Sequence, residues 1–535
     1  MSATIAELAT RSYQQVRAAL LARHEIALLD VREEAPHAVA HPLFAANLPL
    51  SRLELLVYTR IPRRDTAIVV LDDGEGLAAV AAARLSALGY RDVAILAGGV
   101  RGWQAAGGEL FQDVNVPSKA FGELVESRRH TPSLSAQEVK ALLDAKADLV
   151  VLDARRFDEY QNMNIPGSVS VPGAELALRV RALAPDPQTH VIVNCAGRTR
   201  SIIGAQSLVN AGIPNQVHAL RNGTIGWTLA QQQLEHGSSR RFPVAVGADV
   251  GREAAVAARG VADRAGVKRL SWDGLQDLRQ DGTRTTYLFD VRTPEEYKHA
   301  HVSGFLSAPG GQLVQETEAN APVRGARIVL LDDEGVRANM TASWLAQMAW
   351  EVYVLDALDA QYFTQSGPAS PQLPPMPAAE KISPATLAAW LQESREVATL
   401  VLDFTTSANY VREHIPGAYY VLRSQLQQAW QQLPAAGRYV LTCGSSLLAA
   451  YVIAELAALS DKPVFLLEGG NAAWKAAGLP LQSGETALAS PRIDRYRRPY
   501  EGTDNPTSAM QAYLDWEFGL VEQLGRDGTH GFFVI

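Results

Sequence analysis

The chain of 535 residues is 47% hydrophobic and 20% charged, ordinary for globular protein and too long for a single core, so several domains are expected. A formal net charge of -8, no long basic run and no apolar run near the roughly 20 residues of a bilayer span argue against nucleic-acid and membrane partners. Two cysteines exclude a disulfide framework and a four-thiolate zinc site, and with no apolar leader in MSATIAELATRSYQQVR they point to a cytoplasmic thiol used as a thiol, without metal or cofactor.

Taken in chain order, the sequence contains one unit written four times. The first has a short apolar strand ending in Asp, IALLDVR (Asp30), then a strand opening into a loop, AIVVLDDGEG, then a strand, glycine turn and aromatic, LAGGVRGW (Trp103). The second has LVVLDAR (Asp153), NIPGSVSVP from 164, HVIVNCAGRTR and LRNGTIGW (Trp227). The third has TYLFDVR (Asp290), HVSGFLSAP from 301, RIVLLDDEGVR and LDALDAQY (Tyr362). The fourth has TLVLDFT (Asp403), HIPGAYYV from 414, RYVLTCGSSLL and LEGGNAAW (Trp474). Asp30 to Asp72, Asp153 to Cys195 and Asp290 to Asp332 each span 42 residues, and Asp403 to Cys443 spans 40. Chance does not produce that spacing.

Each unit also opens with a helix-like segment. In LSAQEVKALLDA, Ser135 and Glu138 fit a capping box, and Val139, Leu142 and Leu143 share one face. Strands alternating with helices predict a parallel sheet covered on both sides, so the fold class is α/β with four tandem domains and a C-terminal helical tail. The expected bounds are 1–118, 128–238, 266–370, 380–484 and, for the tail, 485–535. The proline-rich 366–381 is a linker, and GREAAVAARGVADRAGV, between the second and third units, is a connecting helix.

The loop after the second unit's strand carries the chemistry. A strand, a tight loop and a helix place residues 195–200 at the carboxyl end of a sheet, with loop amides and a helix N-terminus converging on an anion site. That field, with Arg198 and Arg200, is expected to lower the pKa of Cys195 and favour its thiolate. A structural cysteine ending a strand is the bland alternative. A cysteine phosphatase or arsenate reductase would use a similar thiolate, but this loop is one residue short: the phosphatase arginine would stand at Ser201.

The repeated Asp strand, the IPG marker, the six-residue loop and the GG...W turn together resemble the rhodanese family of sulfurtransferases over nearly the whole chain except the tail. The resemblance implies four rhodanese-like domains and a persulfide on Cys195. Sulfur would come from thiosulfate or 3-mercaptopyruvate and pass to cyanide or a thiol. It implies that Ala196, Gly197, Arg198, Thr199 and Arg200 bind the donor's anionic end, and that Asp153 and Arg155 support the loop. Asn164 departs from the histidine usual before IPG. A non-catalytic scaffold and a persulfide carrier remain rival readings.

The first and third units carry Asp72 and Asp332 at the cysteine position, which excludes sulfur transfer there. The resemblance implies two pairs, as in two-domain members of the family: a silent first unit with Cys195 and a silent third with Cys443, each site facing an interdomain cleft. CGSSLL has no arginine, so Cys443 is a candidate second nucleophile in a copy better read as degenerate. The tryptophans are expected to pack the turn. The tail's Met510, Tyr513, Leu514, Phe518, Val521 and Leu524 form an apolar stripe, expected to dock on the fourth unit, with a homodimer contact as the alternative. RIDRYRRPY is expected to be solvated or paired with acids.

Overall fold

The computed structural model describes residues 9–356, 358–392, 398–502 and 504–535. Each unit forms a parallel sheet with the same strand order, which in the second is Ser133–Leu134, Val217–Leu220, His190–Asn194, Leu149–Asp153, Val169–Ser170. Successive residues of a strand point to opposite faces. Accordingly Val151 and Ile192 pack with Val139 and Trp227 on one side, while Leu152, Val191 and Val193 pack with Leu176 and Leu208 on the other. The capping box is present: Ser135 Oγ accepts from Glu138 N–H at 3.2 Å and the Glu138 carboxylate accepts from Ser135 N–H at 2.7 Å. Register pairs Asp153 with Asn194, which brings both strand ends to the cysteine loop.

The marker before IPG is a local brace. In the third and fourth units His301 and His414 place Nδ1 on the carbonyl four residues earlier, at 2.9 and 2.7 Å. The first unit has the same brace in His41 on the His37 carbonyl at 2.9 Å, so HPLFAANLP is a fourth marker, one that lacks the IPG signature. Asn164 keeps the bond, donating from Nδ2 to the Tyr160 carbonyl at 3.1 Å.

The units do not assemble as two separate pairs. Val323–Arg324 of the third unit adds antiparallel to Ile26–Asp30 of the first, and the two units share one continuous core. The connecting helix, Ala248–Arg264, packs between Leu176–Leu183 of the second unit and Arg337–Gln347 of the third. Arg337, fully buried, joins Glu175 of the second unit at 3.0 Å to Glu296 of the third at 2.7 Å. The fourth unit docks on the first through Arg423, bonded to Glu54 at 2.5 and 3.0 Å, and Ser424, bonded to Glu33 at 2.6 Å. The expected pairing of the third with the fourth is corrected: this buried ion pair and hydrogen bond tie the fourth to the first.

The tail docks mainly elsewhere than expected. Residues 487–489 do add to the fourth unit at Tyr420. Beyond them, two helices split at Gly519, Thr507–Phe518 and Leu520–Asp527, lie on the first two units and the helix Val116–Arg129 that joins them. Met510, Tyr513, Leu514 and Leu524 are buried as the stripe predicts, but Phe518 is 56% exposed. Phe532 packs against Phe44 and Phe121. The stripe offered as a dimer face is thus largely covered within the chain.

Candidate functional site

Asp153 is fully buried and held by Arg155, whose Nε and Nη2 donate to its two oxygens at 2.9 and 2.8 Å. Arg155 also reaches the Met163 carbonyl at 2.5 Å, and Asn194 Nδ2 donates to Asp153 at 2.8 Å. This frame ties the strand end to the residue before Cys195. The same Asp–Arg pair occurs as Asp30–Arg32 and Asp290–Arg292. In the fourth unit Thr405 replaces the arginine, and burial without that partner pushes Asp403 up to about 6.

The glycine turn fixes the loop from the other side. Gly223 has φ +52°, and a Cβ there would lie 2.3 Å from the Cys195 carbonyl oxygen. The turn's Thr224 and Ile225 amides donate to the Cys195 and Ala196 carbonyls at 2.9 and 3.0 Å. Gly99 and Gly470 make the same close approach to Asp72 and Cys443. Trp103, Trp227 and Trp474 hold the segment that follows, each donating Nε1 to a carbonyl six residues on, so their packing role stands.

The first and third units, with aspartate at the cysteine position, display what the loop amides do. The Asp72 carboxylate accepts from the N–H groups of Gly74 and Ala78 at 3.1 and 3.0 Å. Asp332 accepts from Gly335, Val336 and Arg337 at 3.1, 3.0 and 2.8 Å. In both, the aspartate supplies its own anion to the amide cradle. In the second unit Cys195 stands at that position, and both the backbone and the side chain of Ser201 act on its sulfur.

Cys195 is 2% exposed, and burial pushes its thiol above the ordinary value, against the expectation of a lowered one. Arg200 and Ser201 pull in the opposite direction. Arg200 is itself fixed by Glu159 through two bonds of 2.8 and 2.9 Å. Arg198 is not free to steady an anion as expected: it is bonded to Glu123 at 2.7 and 2.9 Å, to Asn222 at 3.1 Å and to Glu126, and stacks on Phe518. Thr199 Oγ1 is buried without a partner.

The tail supplies the remaining wall. Tyr500, Met510, Tyr513 and Leu514 cluster with Ala196 and Ile225. A Cβ on Gly197 would meet Tyr513 Cε1 at 3.1 Å and Glu517 Oε2 at 3.5 Å. Beside it a cleft of about 440 Å³ is lined by Arg156, Arg200, Arg495, Arg498 and Tyr500, so part of RIDRYRRPY borders the site, with Arg498 paired to Glu501 and Glu34. These tail residues and Glu123 lie too far along the chain for any local pattern to place them. Glu159 was legible: Glu296 stands at the same offset from its unit's Asp and bonds Arg337, the counterpart of Arg200, whereas the other two units lack both partners.

Cys443 sits in a different setting. It is 5% exposed, and burial raises its thiol against the amides of Ala449, Ser445 and Leu448. Gly444 and Ser445 are exposed, a Cβ on Gly444 would meet nothing within 4 Å, and no arginine follows.

Four copies of a parallel α/β unit, with an amide cradle at the carboxyl end of each sheet, define the class of fold. The family model for the Rhodanese-like domain matches residues 12–106, 135–230, 271–357 and 383–477, and the chain belongs to that family. A thiosulfate sulfurtransferase from Pseudomonas aeruginosa, solved by crystallography, is 70% identical with a TM-score of 0.97, covering 99% of this chain and 100% of its own. Among curated relatives, YrkF of Bacillus subtilis is 27% identical over 19% of this chain and 54% of its own length. The uncharacterized slr1261 of Synechocystis is 37% identical over 20% and 59%. The chain thus matches little more than half the length of either. Among the described residues, no helix is long and apolar enough to cross a membrane.

Proposed function

We propose that this protein is a sulfurtransferase that moves sulfane sulfur from thiosulfate to a thiophilic acceptor, cyanide or a thiol, through a persulfide on Cys195. The observation that carries this reading is the cradle: two loops of the same chain hold a carboxylate with their amides at the position where the second unit carries the Cys195 thiol. The likeness to the Pseudomonas aeruginosa thiosulfate sulfurtransferase over the full chain supports the choice of donor.

The Cys195 thiolate attacks the outer sulfur of thiosulfate. A new S–S bond forms, the old one breaks, and sulfite leaves with the bonding pair. Cyanide then attacks the outer persulfide sulfur, releasing thiocyanate and returning the thiolate, so no external oxidant is needed. The amides of Ala196, Gly197, Arg198, Thr199 and Arg200 stabilise the developing negative charge, the Arg200 guanidinium holds the thiolate, and Arg198 fixes the loop to the helix Val116–Arg129. Asp153 and Arg155 are positioning residues. Two unpaired cysteines support a reducing, cytoplasmic setting.

The test is the peptide mass of the reduced protein after thiosulfate and then cyanide, in wild type, Cys195→Ala and Cys443→Ala. A one-sulfur gain on the Cys195 peptide, removed by cyanide with thiocyanate released and retained in Cys443→Ala, is expected. No gain with thiosulfate, mercaptopyruvate or glutathione persulfide overturns the reading in favour of a binding scaffold.

A further inference from the structure

The wall that closes over Cys195 does not belong to its own unit. In the fourth unit the same loop is open, with Gly444 and Ser445 exposed, whereas Ala196, Gly197 and Arg198 are buried beneath the helix Thr507–Phe518. Closure is therefore a property of the tail. Its ends are tied down, at residues 487–489 on the fourth unit and at Leu520, Leu524 and Phe532 in the large shared core. Between them Lys119, ion-paired to Asp113 at 2.7 Å, lies 5.1 to 5.7 Å from the ring centroids of Tyr500, Tyr513 and Trp516.

Within that wall, among the described residues, the Glu517 carboxyl has no ion-pair partner of its own. Glu517 is fully buried; Oε1 accepts from Tyr513 Oη at 2.8 Å, and Oε2 has no partner and faces Gly197. The nearby cations are already matched: Arg198 by Glu123 and Glu126, Arg200 by Glu159, Lys119 by Asp113. An anion entering beside Gly197 meets the Glu517 carboxyl, while each of these three cations is already neutralised by an acid of its own.

We propose that Glu517 is a specificity-determining residue of the Cys195 site, placed there by the tail to discriminate against anionic ligands when it is ionised. The proposal rests on Cys195 being the reacting thiol. Burial first, and Glu123 second, push the Glu517 carboxyl up to about 8, while Lys119, Tyr513 and Arg198 oppose. The Glu517 charge also acts through space on the Cys195 thiol, raising it. At pH 7 the group is therefore mostly neutral and admits an anion; at pH 9 it is mostly charged and excludes one.

The experiment compares alkylation of Cys195 by neutral iodoacetamide and anionic iodoacetate, read by peptide mass on the folded full-length protein at pH 7 and pH 9. Ionisation of the thiol affects both reagents equally and cancels in the ratio of rates. For one proton titrating near 8, the neutral fraction falls from roughly ten elevenths to one eleventh, so the iodoacetate-to-iodoacetamide ratio is expected to fall by roughly tenfold. Glu517→Gln should flatten the ratio. Tyr513→Phe, which removes the donor to Oε1, should move its midpoint to higher pH and serves if the glutamine variant does not fold. A ratio unchanged between the two pH values in wild type, a full fall retained in Glu517→Gln, or no alkylation by either reagent overturns the proposal. Because the readout needs no sulfur transfer, a protein that fails to load sulfur from thiosulfate can still return the expected ratio, and the two failures stay distinct.

Discussion

Replacing Gly223 by alanine tests whether the glycine turn sets the geometry of the cysteine loop. The new Cβ would lie 2.3 Å from the Cys195 carbonyl oxygen, 2.8 Å from its carbon and 2.9 Å from the Ala196 carbonyl carbon. All three are backbone atoms, so no side chain can swing aside and the loop must retreat by ~1 Å to reach ordinary contact. Retreat strains the bonds from Thr224 and Ile225 to the Cys195 and Ala196 carbonyls, each worth ~1 kcal/mol, and alanine at positive φ adds ~1 kcal/mol more, about 3 kcal/mol together. Displacement of a nucleophile by ~1 Å is expected to slow its reaction by about a hundredfold. The assay is the rate of sulfur loading on the Cys195 peptide, with thermal unfolding measured beside it. Gly99→Ala is the control, since its Cβ would meet the Asp72 carbonyl oxygen at the same 2.3 Å in a unit that has no thiol. It should destabilise comparably and leave loading intact. Gly167→Ala, with φ +80° and nothing within 4 Å, should show the strain alone. Loading at the wild-type rate in Gly223→Ala, or its loss in Gly99→Ala, would refute the reasoning.

Three further outcomes are expected. Arg200→Ala should move the pH profile of Cys195 alkylation by iodoacetamide to higher pH, because it removes the charge that opposes burial. Arg198→Ala should leave that profile in place while destabilising by ~3–5 kcal/mol, since Glu123 is left buried without its partner; a profile that shifts equally in both variants would show that Arg198 also acts on the thiol. Asp403, raised in the fold from 3.8 to about 6, favours the folded fourth unit fully below the lower value, and that contribution is lost as pH rises through the higher, by about 3 kcal/mol. Hydrogen exchange in the strand Thr399–Asp403 should therefore quicken between pH 4 and pH 7 after correction for intrinsic rates, and Asp403→Asn should remove the trend. Arg423→Ala should loosen the fourth unit from the first at a cost of ~2–3 kcal/mol, because Glu54 and Glu455 lose a shared partner but keep Arg84, seen as faster exchange at residues 50–60; unchanged exchange there would place the interface energy elsewhere.

The amino-acid sequence by itself determined the repeated unit, its parallel α/β class, the amide loop at each sheet end and which two loops hold a thiol. These follow from short-range features: strand periodicity, a capping box at Ser135, glycines at turns and a fixed spacing from Asp to loop. Even the Glu159–Arg200 pair was readable by comparing copies, since both members recur together in the third unit. Tertiary structure alone decided what surrounds the thiol. The thiolate-favouring field expected from two adjacent arginines gives way to burial, because Glu123 and Glu126, some seventy residues upstream, take up Arg198, and because Tyr513 and Glu517 arrive from the tail. Charge compensation and desolvation act through space between residues hundreds of positions apart, so no window on the chain contains them. The arrangement of the units follows the same rule: four similar sheets carry no local record of their neighbours, and buried contacts such as Arg337 with Glu175 and Arg423 with Glu54 settle the matter only once the chain has folded.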